Sequence, residues 1–265
     1  MKRFLSIICI VVLAISLIAC GAEKKAESDL AYVTEKGELI IGMTLFAPMD
    51  YMDENGELTG FEVDFGKAVC EKLGLTPKFI EINWDAKETE LSSKNIDCIW
   101  NGMTITEERQ ANMSISVPYL GNKQVMVAKA DKAADYVASA NGAKVVAELG
   151  SAGEELALEN EFFADAAFTG VDSMAKALME VKAGTADVAI VDYVTSIGSI
   201  GEGTDYTDLV VVEAEDFAAE EYGIAFRKGS DITEKVNSVI SELAKDGTLE
   251  EIAKKYKLED LLLVK

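Results

Sequence analysis

The sequence predicts an α/β protein built from two similar lobes. The chain has 265 residues, of which 49% are apolar and only 3 are proline. It can therefore bury a large core, which excludes disordered and collagen-like classes. Each half contains the same order of features, namely a helix, a turn, an aspartate and an apolar strand. This alternation favours a central sheet in each half, with ligand-binding loops at the carboxyl ends of the strands.

The first half begins with an apolar strand at residues 39–42. Residues 62–73 place apolar side chains at helical spacing, and Gly74 after them is a typical helix stop. A short helix at 86–94 and a strand at 96–100 follow. The pattern thus predicts a strand, two helices and a second strand.

The second half repeats this order. A helix is expected at 173–183 and a buried strand at 186–191. Near the C-terminus, 231–245 has the apolar spacing of an amphipathic helix. Thr248 and Glu251 form a capping box that predicts one more helix.

Charge and the absence of histidine exclude several function classes. The chain has 25 Lys and Arg, 47 Asp and Glu, no His and a formal charge of −22. Nucleic acid is not expected as a partner, because affinity for it depends on cations that displace counterions from phosphates. Without histidine, Ser-His-Asp and Cys-His nucleophiles and His-containing zinc sites are impossible. Any catalysis would have to use carboxylates, lysines or tyrosines.

The N-terminus has the pattern of an export signal. Two basic residues precede an apolar run at 4–19, which is short for a spanning helix but has the length of a secretory signal core. The run ends in Leu-Ile-Ala-Cys-Gly, which resembles a bacterial lipobox with Cys20 as the lipid site. The alternative is an ordinary signal peptide. We predict a signal at 1–19, a polar tether at 20–30 and lipid anchoring to the outer face of the cytoplasmic membrane, or a periplasmic location.

Two of the four cysteines lie beyond the predicted lipid site. Cys70 falls in a helical pattern and Cys98 in an apolar strand, where a free thiol packs as a small apolar group. An exported pair could also form a disulfide, so both alternatives stay open. Two thiolates are too few ligands for a metal, and no metal is predicted.

One cation stands where a helix disfavours it. Thr106 has the character of an N-cap, which places Arg109 in the first turn after two glutamates. A cation there opposes the helix dipole by about 0.3–1 kcal/mol. Either Arg109 pairs with those glutamates at the surface, or it binds a ligand anion.

Two further positions indicate a site for a charged ligand. Ser151 opens a Ser-x-x-Glu capping box, and the N–H groups of Ala152 and Gly153 would form an anion site at a helix N-terminus. Asp192 ends an apolar strand where the sheet gives way to a loop. Plain helix caps are the structural alternatives at both Ser151 and Asp192.

Six motifs fall in the order and spacing of one known family. They are GFEVD at 60–64, GMTITEER at 102–109, SVPY at 116–119, GSAG at 150–153, ADVAIVD at 186–192 and YGIAFRKG at 222–229. Together they resemble the polar amino-acid binding proteins of bacterial ABC importers, the family 3 solute-binding proteins. The resemblance covers almost the whole mature chain.

The resemblance implies a type II periplasmic-binding-protein-like fold, in which two α/β lobes are joined by two hinge strands. Lobe 1 would contain 31–119 and 223–265, and lobe 2 would contain 120–222. The hinge crossings are expected near 119–123 and 218–222.

The resemblance also implies a set of ligand contacts. The implied ligand-binding residues are Arg109, Asp192, Thr104, Gly102, Ala152, Ser151, Phe46, Phe61 and Glu148. Arg109 would clasp the α-carboxylate of an amino acid, assisted by the Thr104 hydroxyl and N–H and by the Ala152 N–H. Asp192 and the Gly102 carbonyl would receive the α-ammonium.

The ligand side chain would meet a different group of residues. Phe46 and Phe61 would sandwich it, and Glu148 lies where the family often contacts it. A carboxylate there is expected to favour polar or cationic side chains over acidic ones, because like charges repel more strongly in a closed cleft than in water.

The implied function is capture of an amino acid by hinge closure and delivery to the permease of an ABC importer. The protein would act as a monomer, without a cofactor and without catalysis. Two alternatives are an enzyme on the same fold, such as a relative of prephenate or arogenate dehydratase, and a ligand-sensing partner of a membrane receptor. An enzyme needs an acid or base beyond the groups that bind the zwitterion, and the sequence shows no such cluster.

Overall fold

The computed structural model describes residues 28–214 and 217–264. The predicted signal at 1–19, the lipid site at Cys20 and residues 20–27 of the predicted tether lie outside these residues. The tether prediction was wrong for residues 28–30, because Ser28 caps a helix that begins at Asp29 and both Ser28 and Leu30 donate hydrogen bonds to Asp231. Among the described residues, no helix combines the length and the apolar character needed to cross a membrane.

Strands and helices alternate along the chain. The strands are β1 (Glu38–Met43), β2 (Tyr51–Met52), β3 (Leu58–Thr59), β4 (Thr76–Glu81), β5 (Cys98–Ile99), β6 (Met113–Ile115), β7 (Leu120–Lys129), β8 (Lys144–Glu148), β9 (Ala167–Val171), β10 (Val188–Asp192), β11 (Leu209–Val211), β12 (Ala219–Tyr222) and β13 (Ala225–Arg227). The helices are α1 (Asp29–Lys36), α2 (Phe61–Leu73), α3 (Lys87–Ser92), α4 (Glu107–Asn112), α5 (Ala152–Glu159), α6 (Met174–Ala183), α7 (Tyr193–Ser199), α8 (Ile232–Lys245) and α9 (Thr248–Lys255).

The first lobe is built on a sheet in the order β4-β1-β5-β13-β6. β1 runs parallel to β4 and β5, whereas β13 is antiparallel to β5 and β6. Gly42 near the end of β1 pairs with Ile99 at the end of β5. The loops that follow these strands therefore leave the same edge of the sheet, as expected for parallel neighbours.

The second lobe is built on a sheet in the order β11-β7-β10-β8-β9. β8 is parallel to β9 and β10, and β7 is antiparallel to β10 and β11. Because β8 and β10 run in the same direction, Glu148 at the end of one and Asp192 at the end of the other leave the same edge. The predicted fold class, an α/β protein of two sheet-containing lobes, is confirmed.

Two strands carry the chain between the lobes. β7 begins at Leu120, opposite Tyr222 of β12, and this antiparallel ladder continues to Lys123 opposite Ala219. Beyond it, β7 enters the sheet of the second lobe. The ladder coincides with the segments predicted as hinge crossings, and the exact lobe boundaries stay a prediction.

Element boundaries differ from the predicted ones by at most two residues. The helix predicted at 86–94 is α3 at Lys87–Ser92, preceded by a 3₁₀ turn at Trp84–Ala86. The strand predicted at 96–100 pairs only at Cys98–Ile99. Helix ends fray and adjust to packing, so their limits are the least predictable feature of a helix.

The predicted capping box before the last helix was wrong. Gly247, with φ of 84°, is the N-cap of α9, and Thr248 is its first helical residue. The Asp246 carboxylate accepts the Thr248 N–H at 3.0 Å. An acidic residue two positions earlier therefore performs the capping that was assigned to the Thr248 side chain.

The two cysteines of the described region are free thiols in the core of the first lobe. Cys70 on α2 and Cys98 on β5 are both fully buried. Burial raises the pKa of the Cys70 thiol to about 12 and raises that of Cys98 well above its usual value. The structure thus shows the free alternative, with both groups packed as small apolar side chains.

Candidate ligand-binding site

A narrow cavity of about 10 Å³ lies between the two lobes, which leaves room for about one water molecule while the lobes are this close. The first lobe contributes Phe46, Trp84, Asn101, Gly102, Thr104 and Arg109, and the second contributes Glu148, Ser151, Ala152, Met174 and Asp192. Every residue implied by the resemblance lines this cavity except Phe61. The loops after β1, β5, β8 and β10 thus meet at one place, as their sheet edges require.

Arg109 is a buried cation at the boundary between the lobes. Thr106 caps α4, since its hydroxyl accepts the Arg109 N–H at 3.2 Å. The guanidinium donates to the Thr104 carbonyl of its own lobe at 2.9 Å. Across the cleft it donates to the Gly150 carbonyl at 3.3 Å and to the Glu155 carboxylate at 3.2 Å. Arg109 therefore faces the second lobe, rather than pairing with the glutamates before it.

The predicted anion site is the N-terminus of α5. The Ser151 hydroxyl accepts the Glu154 N–H at 3.2 Å, which makes Ser151 the N-cap. The Glu154 carboxylate accepts the Gly150 N–H at 2.6 Å. In the usual capping box this acceptor binds the N–H of the N-cap residue, here Ser151, so the contact is displaced by one residue. Ala152 begins the helix at the wall of the cavity, where the helix dipole favours an anion.

Asp192 is a buried carboxyl group of the cavity wall, and its side chain does not cap the helix that follows it. Although it stands at the N-cap position of α7, its Oδ1 accepts the side-chain amides of Asn122, at 3.1 Å, and Gln124 on β7. Burial, with a smaller contribution from the nearby Glu220 charge, raises the pKa of Asp192 to about 7. This carboxylate would gain from a cation in the cavity, since a positive partner favours its charged form.

Glu148 is a second buried carboxyl group of the cavity. It ends β8 and is 2% exposed, and its Oε1 has no hydrogen-bond partner among the described residues. Burial and then the Asp192 charge raise the pKa of Glu148 to about 8, whereas the Lys87 charge acts in the opposite direction. A buried oxygen without a donor is costly, so a donor on a ligand would relieve that cost.

Phe61 does not occupy the predicted position. It is the first residue of α2 and is fully buried, with its ring centroid 5.9 Å from that of Phe65 and 6.4 Å from that of Tyr119. The Phe61 N–H donates to the Pro48 carbonyl, which holds the helix start under the loop and its ring in the core. Phe61 therefore packs the first lobe instead of lining the cavity.

Trp84 is the aromatic residue that shares the cavity with Phe46. It lies in the 3₁₀ turn before α3, is 4% exposed, and holds the Lys87 ammonium 5.0 Å from its ring centroid. The resemblance places Trp84 beside the cleft, but the sequence alone favours a core role, since a tryptophan in such a pattern is more often a core residue.

The lobes contact each other on several sides of the cavity. The Lys87 ammonium donates to the Gly150 carbonyl at 2.8 Å, beside the contact from Arg109. On another side, α7 lies so close to the first lobe that a Cβ at Gly198 would be 2.5 Å from the Pro48 nitrogen. Within the residues that the structure describes, no cluster of three or more Cys, Asp or Glu could hold a metal ion.

A family comparison agrees with this architecture. The sequence model of the bacterial extracellular solute-binding proteins, family 3, matches residues 39–259. The chain belongs to this family. This solute-binding protein is 32% identical over 252 residues to the L-cystine-binding protein TcyJ of Escherichia coli, covering 92% of both chains.

Solved structures show the same fold. A substrate-binding protein of an ABC uptake transporter from Streptococcus pneumoniae, with bound histidine, superposes with a TM-score of 0.80 at 29% identity, covering 89% of this chain and 98% of that one. The ancestral amino acid-binding protein AncCDT-1, described as a precursor of cyclohexadienyl dehydratase, gives a TM-score of 0.77 at 31% identity, with 86% and 99% coverage.

Proposed function

We propose that this protein captures a free amino acid between its lobes outside the cytoplasm and delivers it to the permease of an ABC importer. The observation that carries the proposal is the pairing of a buried cation, Arg109, with a buried carboxylate, Asp192, in one cavity that both lobes line. An amino-acid zwitterion has the complementary pair of charges. The names of the relatives, which include cystine- and histidine-binding proteins, support this ligand class.

Each end of the zwitterion has a matching set of groups. Arg109 would bind the α-carboxylate, because a guanidinium matches carboxylate geometry, with help from Thr104 and from the Ala152 N–H. Asp192 and the Gly102 carbonyl would receive the α-ammonium. The ligand carboxylate would compete for Arg109 with Glu155, which is half-exposed and can return to water at little cost.

The ligand side chain would lie between Phe46 and Trp84, with Glu148 at its end. Glu148 would favour a polar or cationic side chain. A cationic side chain would favour the charged form of Glu148, whereas an acidic side chain would disfavour it.

Closure of the lobes would be the response to ligand. Arg109 and Asp192 are on different lobes, so one zwitterion contacts both only when the cleft is shut. Ligand contacts that exist only in the shut form shift the hinge equilibrium toward it. The two-stranded ladder of β7 and β12 is where we place the hinge.

The N-terminal pattern supports the cellular part of the proposal. Cleavage of a signal at 1–19 and a lipid on Cys20 would anchor the domain at the outer face of the membrane, next to its permease, as a monomer. A polar tether between Cys20 and the first helix would let the lobes reorient.

One observation favours a second candidate function, an enzyme of the dehydratase type. Glu148 is a cavity carboxyl whose pKa is raised to about 8, and a general acid needs a proton near neutral pH. The solved relative described as a dehydratase precursor points the same way. Incubation with prephenate and arogenate decides between the two: we expect no turnover, whereas turnover lost in Glu148→Gln would establish the enzyme.

A thermal-shift screen tests the binding function. Refolded, ligand-stripped protein is heated with each common amino acid and with cystine. A ligand at 100 times its Kd stabilises the folded protein by about 2.7 kcal/mol, which raises Tm by several degrees. Small-angle scattering should then show a smaller radius of gyration with the ligand. If no amino acid raises Tm, the proposed function is wrong.

A further inference from the structure

A cluster of buried polar side chains lies behind the cavity, inside the first lobe. It consists of Asp50, Glu62, Asn101 and Tyr119, each at most 3% exposed. Of these four, only Asn101 lines the cavity. Contact with a ligand therefore does not account for the burial of two carboxyl groups and a hydroxyl.

Glu62 holds the backbone of the cavity wall. Both of its carboxylate oxygens accept the Gly102 N–H, each at 3.0 Å, and Oε1 also accepts the Tyr119 hydroxyl. Gly102 has φ of 54°, and a Cβ there would lie 2.9 Å from Cζ of Phe46. Glu62 thus fixes a peptide group in a conformation that glycine favours, directly against an aromatic wall of the cavity.

Asn101 connects two loops of this wall. Its Oδ1 accepts the Thr44 N–H at 2.9 Å and the Thr44 hydroxyl at 2.8 Å. Its Nδ2 donates to the Thr44 carbonyl at 2.8 Å and to Asp50 Oδ2 at 2.9 Å. An amide has two donors and two acceptor lone pairs, so Asn101 is saturated within the protein. It therefore supports the wall rather than selecting a ligand.

The two buried carboxyl groups, Asp50 and Glu62, influence each other's pKa. Burial, then the Glu62 charge and a hydrogen bond with Glu62, raise the pKa of Asp50. Hydrogen bonds from Tyr119, Asp50 and Gly102 oppose the effect of burial on the pKa of Glu62. Asp50 Oδ1 has no hydrogen-bond partner among the described residues, whereas Glu62 accepts the Gly102 N–H and the Tyr119 hydroxyl. Glu62 is therefore the carboxyl group of the pair that two donors hold in place.

We propose that Glu62, oriented by the Tyr119 hydroxyl, is a positioning residue that holds the Gly102 peptide group in the direction required to receive the ligand ammonium. This inference rests on the proposed function, in which the Gly102 carbonyl is one of the ammonium acceptors. Glu62 itself lies one layer behind the ligand.

Two substitutions separate the hydrogen bond from the charge. Glu62→Leu removes every acceptor for the Gly102 N–H, whereas Glu62→Gln keeps one carbonyl oxygen for it and gains an N–H for Asp50. In Glu62→Leu we expect the Gly102 amide proton to move upfield in NMR spectra and the amino-acid affinity to fall about tenfold. In Glu62→Gln we expect affinity within about threefold of the wild type.

Ser116→Ala is the matched control. The buried Ser116 hydroxyl accepts the Ile224 N–H at 2.9 Å in the same lobe, away from the cavity wall. The Tm of this variant should fall while its Kd for the amino acid stays at the wild-type value. A loss of stability alone would then be shown not to weaken binding. If Glu62→Leu does not fold, Glu62→Ala combined with Tyr119→Phe replaces it, because water can then reach the Gly102 N–H.

Three results would overturn the inference: an unmoved Gly102 amide in Glu62→Leu, wild-type affinity in that variant, or an equal loss in Glu62→Gln. The NMR measurement needs no ligand. A wild-type protein that binds no amino acid would therefore refute the proposed function, while the Gly102 resonance would still decide whether Glu62 holds the wall.

Discussion

Gly198 offers a direct test of lobe closure. It lies in α7 of the second lobe, where a Cβ would be 2.5 Å from the Pro48 nitrogen, 2.6 Å from the Ala47 carbonyl carbon and 2.6 Å from Pro48 Cδ. Carbon atoms pack at about 3.5–4.0 Å, so Gly198→Ala requires the lobes to separate by about 1 Å at this point. All three neighbours are backbone or ring atoms, and none can rotate away.

The cost of this substitution falls on the closed form alone. Overpacking of this kind costs about 1–3 kcal/mol, which corresponds to a Kd raised about 5- to 150-fold. When the lobes are separated, the new methyl group has no contact with the first lobe and causes no clash. Alanine also stabilises a helix by up to about 1 kcal/mol relative to glycine, so the open form is not destabilised. We therefore expect the Tm of ligand-free Gly198→Ala to equal that of the wild type, while its affinity for the amino acid falls.

The assay is calorimetric titration with the amino acid found by thermal shift, followed by small-angle scattering at saturating ligand. Ser199→Ala, in the same helix and without added volume, is the control and should bind like the wild type. Affinity of Gly198→Ala within about twofold of the wild type would refute the reasoning, because it would mean that ligand binds without this lobe contact.

Three other predictions concern charges and the membrane. Arg109→Gln should weaken binding from micromolar to millimolar or worse in calorimetry, because the ligand carboxylate loses its buried partner, while circular dichroism stays unchanged. The pKa values of Asp192 and Glu148 are raised to about 7 and about 8. Between pH of about 4 and about 8 the folded chain therefore binds more protons than the unfolded chain, and the free energy of unfolding should fall as the pH rises through this range. Denaturant melts of Glu148→Gln should show a flatter profile, and an equal slope would contradict the assignment. Wild-type protein should enter the detergent-rich phase of a partition assay and Cys20→Ala should not; equal partitioning would exclude the lipid.

Most of the scaffold could be predicted from local patterns. The helix expected at 173–183 is α6 with Ser173 as its N-cap, and the helix expected at 231–245 is α8. Their apolar residues recur at helical spacing, which depends only on neighbours along the chain. The cap at Thr106 was predictable for the same reason, since the hydroxyl and the N–H that it accepts are three residues apart.

The position of aromatic side chains was not predictable in this way. Phe61 and Trp84 each begin a helical segment, yet one ring packs in the core and the other lines the cavity. Which way a ring points at the start of a helix depends on the loop that packs over it. For Phe61 that loop is the one at Pro48, through a backbone hydrogen bond.

The order of amino acids thus decides which chemical groups the protein carries: a cation in a helix start, a carboxylate at a strand end, and glycines where the backbone turns. It does not decide which of them meet. The contact between Arg109 and the Gly150 carbonyl joins residues 41 positions apart on different lobes. Gly198 and Pro48 meet only because the lobes close on each other. Such contacts depend on the relative placement of two separate sheets, and no local periodicity encodes that placement.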